Sequence, residues 1–417
     1  MKNRWRPRLA DPGYIFALDI GSKKVALAAA RTTAAEPAED LLIETAPAKG
    51  IFKGVVNDLA ALSDVVAHVV GRMEARTGHK VLQVSLGING NYICSRRSRV
   101  AMALSERGTR SITRRDLAYL SEQARLLGTE LDEYLIHEIS QGYSIDRNPM
   151  TGHPLGLHGR RLETEVLVVA APYAHVSNVV KAVERLGVDV TDVHAASLAA
   201  AEAVLNQEEK ERGAALIDIG DTLTGVVVVK EGRTRHVRVL PFGGRHLVEI
   251  IANYCHVTME VAQVITRDSL EIDTEPQESD AVMIRAEGMF RPVSKKDLVG
   301  VVVSEMDRFV ALLHDAVAES HAVTRPGTSV VVTGGLSLVE GLLEKLEQDL
   351  ALPVRLGVPR GMAHTPVSLS VTCAAAAGLV QRRRSAVPGQ EPFLLQEPRN
   401  KVVRLVDSIR HLYQDYF

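Results

Sequence analysis

The stretch Ala214-Ala-Leu-Ile-Asp-Ile-Gly-Asp-Thr-Leu-Thr-Gly-Val-Val-Val-Val229 decides how the rest of the chain is read. An apolar run brings Asp218 and Gly220 to a tight turn of small residues, and a Val-rich run leaves it at once, which is the pattern of a buried hairpin. Such a turn can hold a phosphate. Its N–H groups can face an anion, and the neighbouring carboxylate can orient a divalent metal or a water. A near copy, Tyr14-Ile-Phe-Ala-Leu-Asp-Ile-Gly-Ser-Lys-Lys-Val-Ala-Leu-Ala28, stands close to the N-terminus, so the same device occurs around Asp19 and around Asp218.

Outward from the hairpins, Asp58 is a plausible cap for a helix whose apolar positions are Leu59, Leu62, Val65, Val66 and Val69, and Val81 to Ile88 alternates like a strand. The region 85–165 changes character, with strand-like 99–104, a helix near 113–127, a strand at 135–145 and a loop rich in Gly, Pro and His, which together read as a small α+β insertion. A strand at 166–171, a helix at 175–186 and an Ala-rich helix at 195–205 lead back to the central hairpin, an alternation typical of parallel α/β architecture. Beyond Pro241-Phe-Gly-Gly244 the chain reads as mostly helical to about Thr324; a buried strand at 328–333 then runs into Gly334-Gly335-Leu-Ser337, followed by a helix at 339–350 and a strand at 354–357.

At 417 residues the chain exceeds one ordinary core, so two or more domains are expected. Its 49 basic and 51 acidic side chains make no bulk field, which argues against nucleic acid as a partner. Cys94, Cys255 and Cys373 lie far apart without CxxC spacing, as expected for packing thiols in a reducing, cytoplasmic setting. His153 and His158 lack ligand spacing, and no apolar run is long enough to span a bilayer. Arg382 to Pro392 has the composition of a linker, and in the tail Val402, Leu405, Val406, Ile409, Leu412, Tyr413 and Phe417 share one helical face.

Two Asp-x-Gly turns, a Gly-Gly near Leu240 and a strand ending in Thr333-Gly334-Gly335 are four sites of exposed backbone, in an order suited to the phosphates and base of a nucleotide. Here the chain resembles the actin-like ATPases, and within them the bacterial cell-division protein FtsA. The resemblance rests on Leu18-Asp-Ile-Gly-Ser22 with Lys24, Gly50-Ile-Phe-Lys-Gly-Val-Val56, Arg161-Leu-Glu-Thr-Glu-Val166, Leu198-Ala-Ala-Ala-Glu-Ala-Val-Leu205, Ala215-Leu-Ile-Asp-Ile-Gly220, Val239-Leu-Pro-Phe-Gly-Gly244, Val332-Thr-Gly-Gly-Leu-Ser337 and Leu352-Pro-Val-Arg-Leu-Gly-Val358. It implies an α/β, actin-like two-lobed fold with a relocated small α+β insertion subdomain and a C-terminal amphipathic helix. The corresponding division is 1–84 and 166–200 for the first lobe, 85–165 for the insertion, 201–245 and 328–381 for the second lobe's core, 246–327 for its mostly helical subdomain, 382–400 for the linker and 401–417 for a membrane-targeting helix.

The resemblance also implies ATP in a cleft. Asp19, Gly21, Ser22 and Lys24 match the first phosphate turn; Asp218, Gly220, Thr222 and Thr224 stand in the second; Gly243, Gly244, Glu260, Gly334, Gly335 and Ser337 stand at the remaining positions, with Mg possible near Asp19 and Asp218. Several positions depart from the family wording. Where the second turn usually reads Asp-Ile-Gly-Gly-Gly-Thr-Thr-Asp, this chain has Asp221, Thr222, Leu223 and Gly225, and Asp221 would repel phosphate. Ala196-Ser197 replaces an acid or amide followed by Pro that can position water, and Glu260-Val-Ala-Gln-Val-Ile-Thr266 lacks two lysines. Weak nucleotide binding with slow or absent hydrolysis is expected, and no catalytic residue is assigned. The function implied is an adaptor that self-associates and tethers an FtsZ-like division polymer to the inner face of the plasma membrane. The competing expectations are an active ATPase, kinase or chaperone of the same superfamily, and a pilus-assembly platform.

Overall fold

The computed structural model describes residues 13–32, 41–148, 152–268, 270–272, 277, 280–286, 289–318, 328–362 and 365–385. The expected membrane helix at 401–417, and the linker from 386 onward, lie outside the described residues.

Two five-stranded sheets share one topology. The first runs Asp189–Ala195, Gln83–Ile88, Tyr14–Ile20, Lys24–Arg31, Leu42–Pro47; the second runs Val354–Leu356, Ser329–Thr333, Ala214–Ile219, Thr224–Lys230, Arg233–Leu240. In each, an antiparallel hairpin is extended by a third antiparallel strand on one side and by two parallel strands on the other. Parallel pairing requires helical crossovers that cover the sheet, and this is why runs such as Val25 to Ala30 and Val226 to Val229 are apolar at every position.

The period of two in the central hairpin has a particular consequence. Ala215, Ile217, Ile219, Val226 and Val228 pack into the second lobe's own core with Leu247, Ile251 and Phe309. Ala214, Leu216, Val227 and Val229 point the other way, into a core continuous with the first lobe. The hairpin is thus the wall between two cores. The second of these is bridged by the helices Ala196–Val204 and Ala374–Ser385, which cross so closely that a Cβ at Gly378 would lie 1.7 Å from the Ala199 carbonyl oxygen.

The insertion is a three-stranded antiparallel sheet, Cys94–Ala103, Arg161–Pro172 and Glu133–Ile145, with the helix Arg114–Gly128 packed on it behind a Thr113/Asp116 capping box. Two sequence-based boundaries move. The strand Arg161–Pro172 runs unbroken through the 165/166 division, and Gln83–Ile88 belongs wholly to the first lobe's sheet. The region expected to be mostly helical also holds a hairpin, Ala281–Ala286 with Met289–Ser294. Helix Ala374–Ser385 continues past 382, where a linker is expected, because Arg382 is drawn inside by Glu202 at 2.9 Å and Arg383 reaches Asp192 at 3.2 Å.

Candidate functional site

The hairpins present matching turns to each other. Gly21 N–H donates to the Lys24 carbonyl at 3.0 Å in the first, and Gly220 N–H donates to the Leu223 carbonyl at 2.9 Å in the second. Each bond closes its turn and leaves the N–H groups of Ser22 and Lys23, or of Asp221 and Thr222, outside it. The turns touch: Thr222 Oγ1 donates to Ser22 Oγ at 2.9 Å.

Asp19 and Asp218 stand just behind these turns, beside Gly87 and Thr333 of the neighbouring parallel strands. Both carboxyls are half-buried by exposure but hemmed in by protein. Burial lifts Asp19 to about 6, with the Lys24 charge opposing. Burial also lifts Asp218 to about 7; the Asp19 carboxylate pushes it the same way and Lys24 again opposes. Two buried acids, one of which raises the proton affinity of the other, form a place where a cation is favoured. Lys24 is not a solvated surface lysine: its half-buried ammonium donates to Cys373 Sγ at 2.9 Å. Among the described residues no group of three or more His, Cys, Asp or Glu side chains could hold a metal ion. A pair of carboxylates suits a Mg ion that takes its remaining ligands from substrate phosphates and water.

Asp221, unexpected in a phosphate turn, has a partner. Arg245 Nε–H donates to its Oδ2 at 3.1 Å, and the Arg245 backbone N–H donates to its carbonyl at 2.7 Å. Gly244 N–H donates to the Gly220 carbonyl at 2.9 Å, so the first N–H groups of the helix Gly244–Cys255 fasten the turn. Gly243 lets the two segments approach: a Cβ there would lie 2.6 Å from the Asp221 carbonyl.

A second pair of departures also meets in space. A Cβ at Gly225 would lie 2.4 Å from Ser197 Cβ, so Ser197 fills the space that a side chain at 225 would occupy. Gly334, at φ 90°, abuts the base of the second turn, where a Cβ would lie 2.4 Å from the Ile219 carbonyl oxygen. Gly335 opens a short 3-10 turn, within which the buried Ser337 hydroxyl donates to the Gly334 carbonyl at 2.7 Å. Thr224 Oγ1 donates to the Phe242 carbonyl at 2.9 Å and is fully buried.

The fold therefore brings together Asp19, Gly21, Ser22, Lys24, Asp218, Gly220, Thr222, Gly243, Gly244 and Gly334, while the hydroxyls of Thr224 and Ser337 are used to hold the local backbone. Glu260 is exposed in the first turn of the helix Met259–Asp268, with its carboxylate engaged by Thr258 and its own backbone N–H. Sequence reasoning missed Arg245, Phe52 and Cys373 as neighbours of the turns. The one available signal was Asp221 itself, since an acid in a phosphate turn calls for a nearby cation.

A duplicated α/β unit whose hairpin turns face each other defines the actin-like class. In keeping with this, the fold is similar to that of a PilM–PilN type IV pilus biogenesis complex, with a TM-score of 0.63 at 18% identity over 89% of this chain and 98% of that one. It is also similar to MreB5 of Spiroplasma citri bound to ADP, with a TM-score of 0.50 at 13% identity over 88% and 94% of the two chains. Family models place the chain more narrowly: "Cell division protein FtsA" matches residues 215–378, and "SHS2 domain inserted in FTSA" matches 90–170. The chain is 30% identical to the cell division protein FtsA of Pseudomonas aeruginosa over 348 residues, 83% of each chain, and 25% identical to that of Escherichia coli K12 over 84% and 86% of the two. The chain belongs to the FtsA family of cell-division proteins.

Proposed function

We propose that this protein is a division adaptor that self-associates, holds a nucleotide in the cleft between its two turns, and tethers an FtsZ-like polymer to the inner face of the membrane through residues 401–417. The observation that carries this reading is family membership across most of the chain, with the inserted subdomain at the position where the family model for it matches. The amphipathic pattern from Val402 to Phe417 supports surface anchoring, since the apolar face holds seven residues and apolar insertion outweighs the few basic charges. Among the described residues no helix is long and apolar enough to cross a membrane.

The nucleotide part of the proposal rests on the paired turns, with Asp19 and Asp218 sharing a Mg ion with the phosphates and Lys24 beside them. Turnover is slow in this reading, because Ala196 stands where the family's water-positioning acid or amide would be and Gly225 where its closing aspartate would be.

The test is co-sedimentation of the full chain with vesicles containing anionic lipid, with and without an FtsZ-like polymer. Deletion of 401–417 is expected to move both the chain and the polymer to the supernatant. Vesicle binding unchanged by the deletion refutes the anchor.

A further inference from the structure

Arg245 is a cation beside the second turn that the reading above does not use. Its guanidinium is held on two sides. From its own lobe, Asp221 Oδ2 accepts the Nε–H at 3.1 Å; from the first lobe, the Phe52 ring lies 5.7 Å from Cζ. Phe52 belongs to the short hairpin Ile51–Phe52/Val55–Val56, and Lys53, at φ 50°, turns back so that its ammonium lies 5.5 Å from the same ring. The side chain of Arg245 remains 39% exposed while that of Asp221 is 11% exposed.

This arrangement is one-sided. The carboxylate takes only the Nε–H, leaving the Nη–H groups available for a second anion in the planar fork that suits phosphate. Without Arg245, Asp221 would place an uncompensated negative charge in the turn and oppose any phosphate there. With Arg245, the pair is neutral overall and presents donors outward. Position along the turn decides which phosphate is met. Gly334 abuts Asp218 and Ile219 at the base, whereas Arg245 abuts Asp221 at the tip. In the nucleotide reading proposed above, with the base beside Gly334-Gly335, the phosphates would run from the base of the turn toward its tip.

We infer that Arg245, aimed by Asp221 and confined by Phe52, binds the outermost phosphate of a nucleoside triphosphate and makes the cleft discriminate triphosphate from diphosphate. This rests on the nucleotide reading proposed above. Asp221 is then a positioning residue, and the carboxylate that looks like damage to the turn serves to orient the donor.

The experiment is calorimetric titration of the full chain with Mg-ATP and Mg-ADP, for the unchanged protein, R245Q and R245K, with thermal unfolding to verify the fold of each. A charge-assisted phosphate contact corresponds to about 10- to 100-fold in affinity. R245Q is expected to lower ATP affinity by about that factor while changing ADP affinity less than about threefold, and R245K to restore part of the difference. Equal loss for both nucleotides, or no loss, overturns the inference and leaves Arg245 as a neutralising partner of Asp221. If R245Q does not fold, the ATP-to-ADP ratio of R245K decides alone, and an unchanged ratio refutes the inference. If the unchanged protein binds neither nucleotide, the nucleotide reading itself falls and this inference with it.

Discussion

Replacing Asp218 with Asn tests the electrostatics of the cleft floor directly. In the folded protein Asp218 is lifted from 3.8 to about 7, and Asp19 from 3.8 to about 6, mainly by burial. A carboxyl with a raised folded pKa binds more protons folded than unfolded, so its contribution to stability is fully present below the unfolded value. That contribution is lost as pH rises through the folded value, here between about pH 4 and pH 7. Linkage over a shift of about three units sets an upper limit of roughly 4 kcal/mol for Asp218, and screening at this half-buried position brings the observable effect to roughly 2 kcal/mol. Asn keeps the shape without the charge. The difference in unfolding temperature between D218N and the unchanged protein, without nucleotide or Mg, should therefore grow in favour of D218N by several degrees from about pH 5 to about pH 8. Scanning fluorimetry across that range measures it. A difference that stays flat, or that shrinks as pH rises, would falsify the claim that Asp218 is strained by burial and by the Asp19 carboxylate.

Two substitutions probe the packing that sets the lobes. Gly378→Ala drives a methyl into the Ala199 backbone, which cannot rotate away as a side chain would, so the crossing helices must separate at a loss of about 3 kcal/mol; thermal unfolding of G378A within a degree of the unchanged protein contradicts that contact. Gly225→Asp meets Ser197 and should destabilise by about 2 kcal/mol, whereas adding Ser197→Gly removes the obstruction and recovers at least half; equal stability of the single and double variants would show that the two positions are independent.

Much of the architecture was legible from pattern alone. The hairpins around Asp19 and Asp218 announce themselves because apolar runs on both sides of an Asp-x-Gly turn have few other solutions, and the Asp58 cap is observed, its carboxylate accepting the Ala61 N–H at 3.0 Å. What escaped was local ambiguity and long-range pairing. The strands Ala281–Ala286 and Met289–Ser294 are short and lie among helices, so their alternation is too brief to stand out. The helix Ala374–Ser385 carries Ala and Gly where it crosses Ala196–Val204, a composition that signals close packing only once the partner is known. Within the site, Asp221 with Arg245, Gly225 with Ser197, and Lys24 with Cys373 are neighbours that the fold creates, and no local spacing encodes them.

Those pairs alter the meaning of the second turn. Taken one residue at a time, Asp221 and Gly225 look like separate losses from a phosphate clamp. In space each is matched by a partner: a cation that neutralises the added acid, and a serine that fills the space left by the missing one. Unconstrained decay would more readily leave an unpaired charge beside the turn or a void behind it, and both are destabilising. The turn instead remains closed by its Gly220 N–H, fastened by Gly244 and Arg245, and in contact with Ser22 of the opposite lobe. The central hairpin also divides the two cores, so its turn lies at the end of the wall that both lobes share. Phosphate bound at Ser22, Thr222 and Arg245 would part the Ser22–Thr222 contact and bear on the Phe52–Arg245 stack, and would thereby couple the occupancy of the cleft to the relation between the lobes.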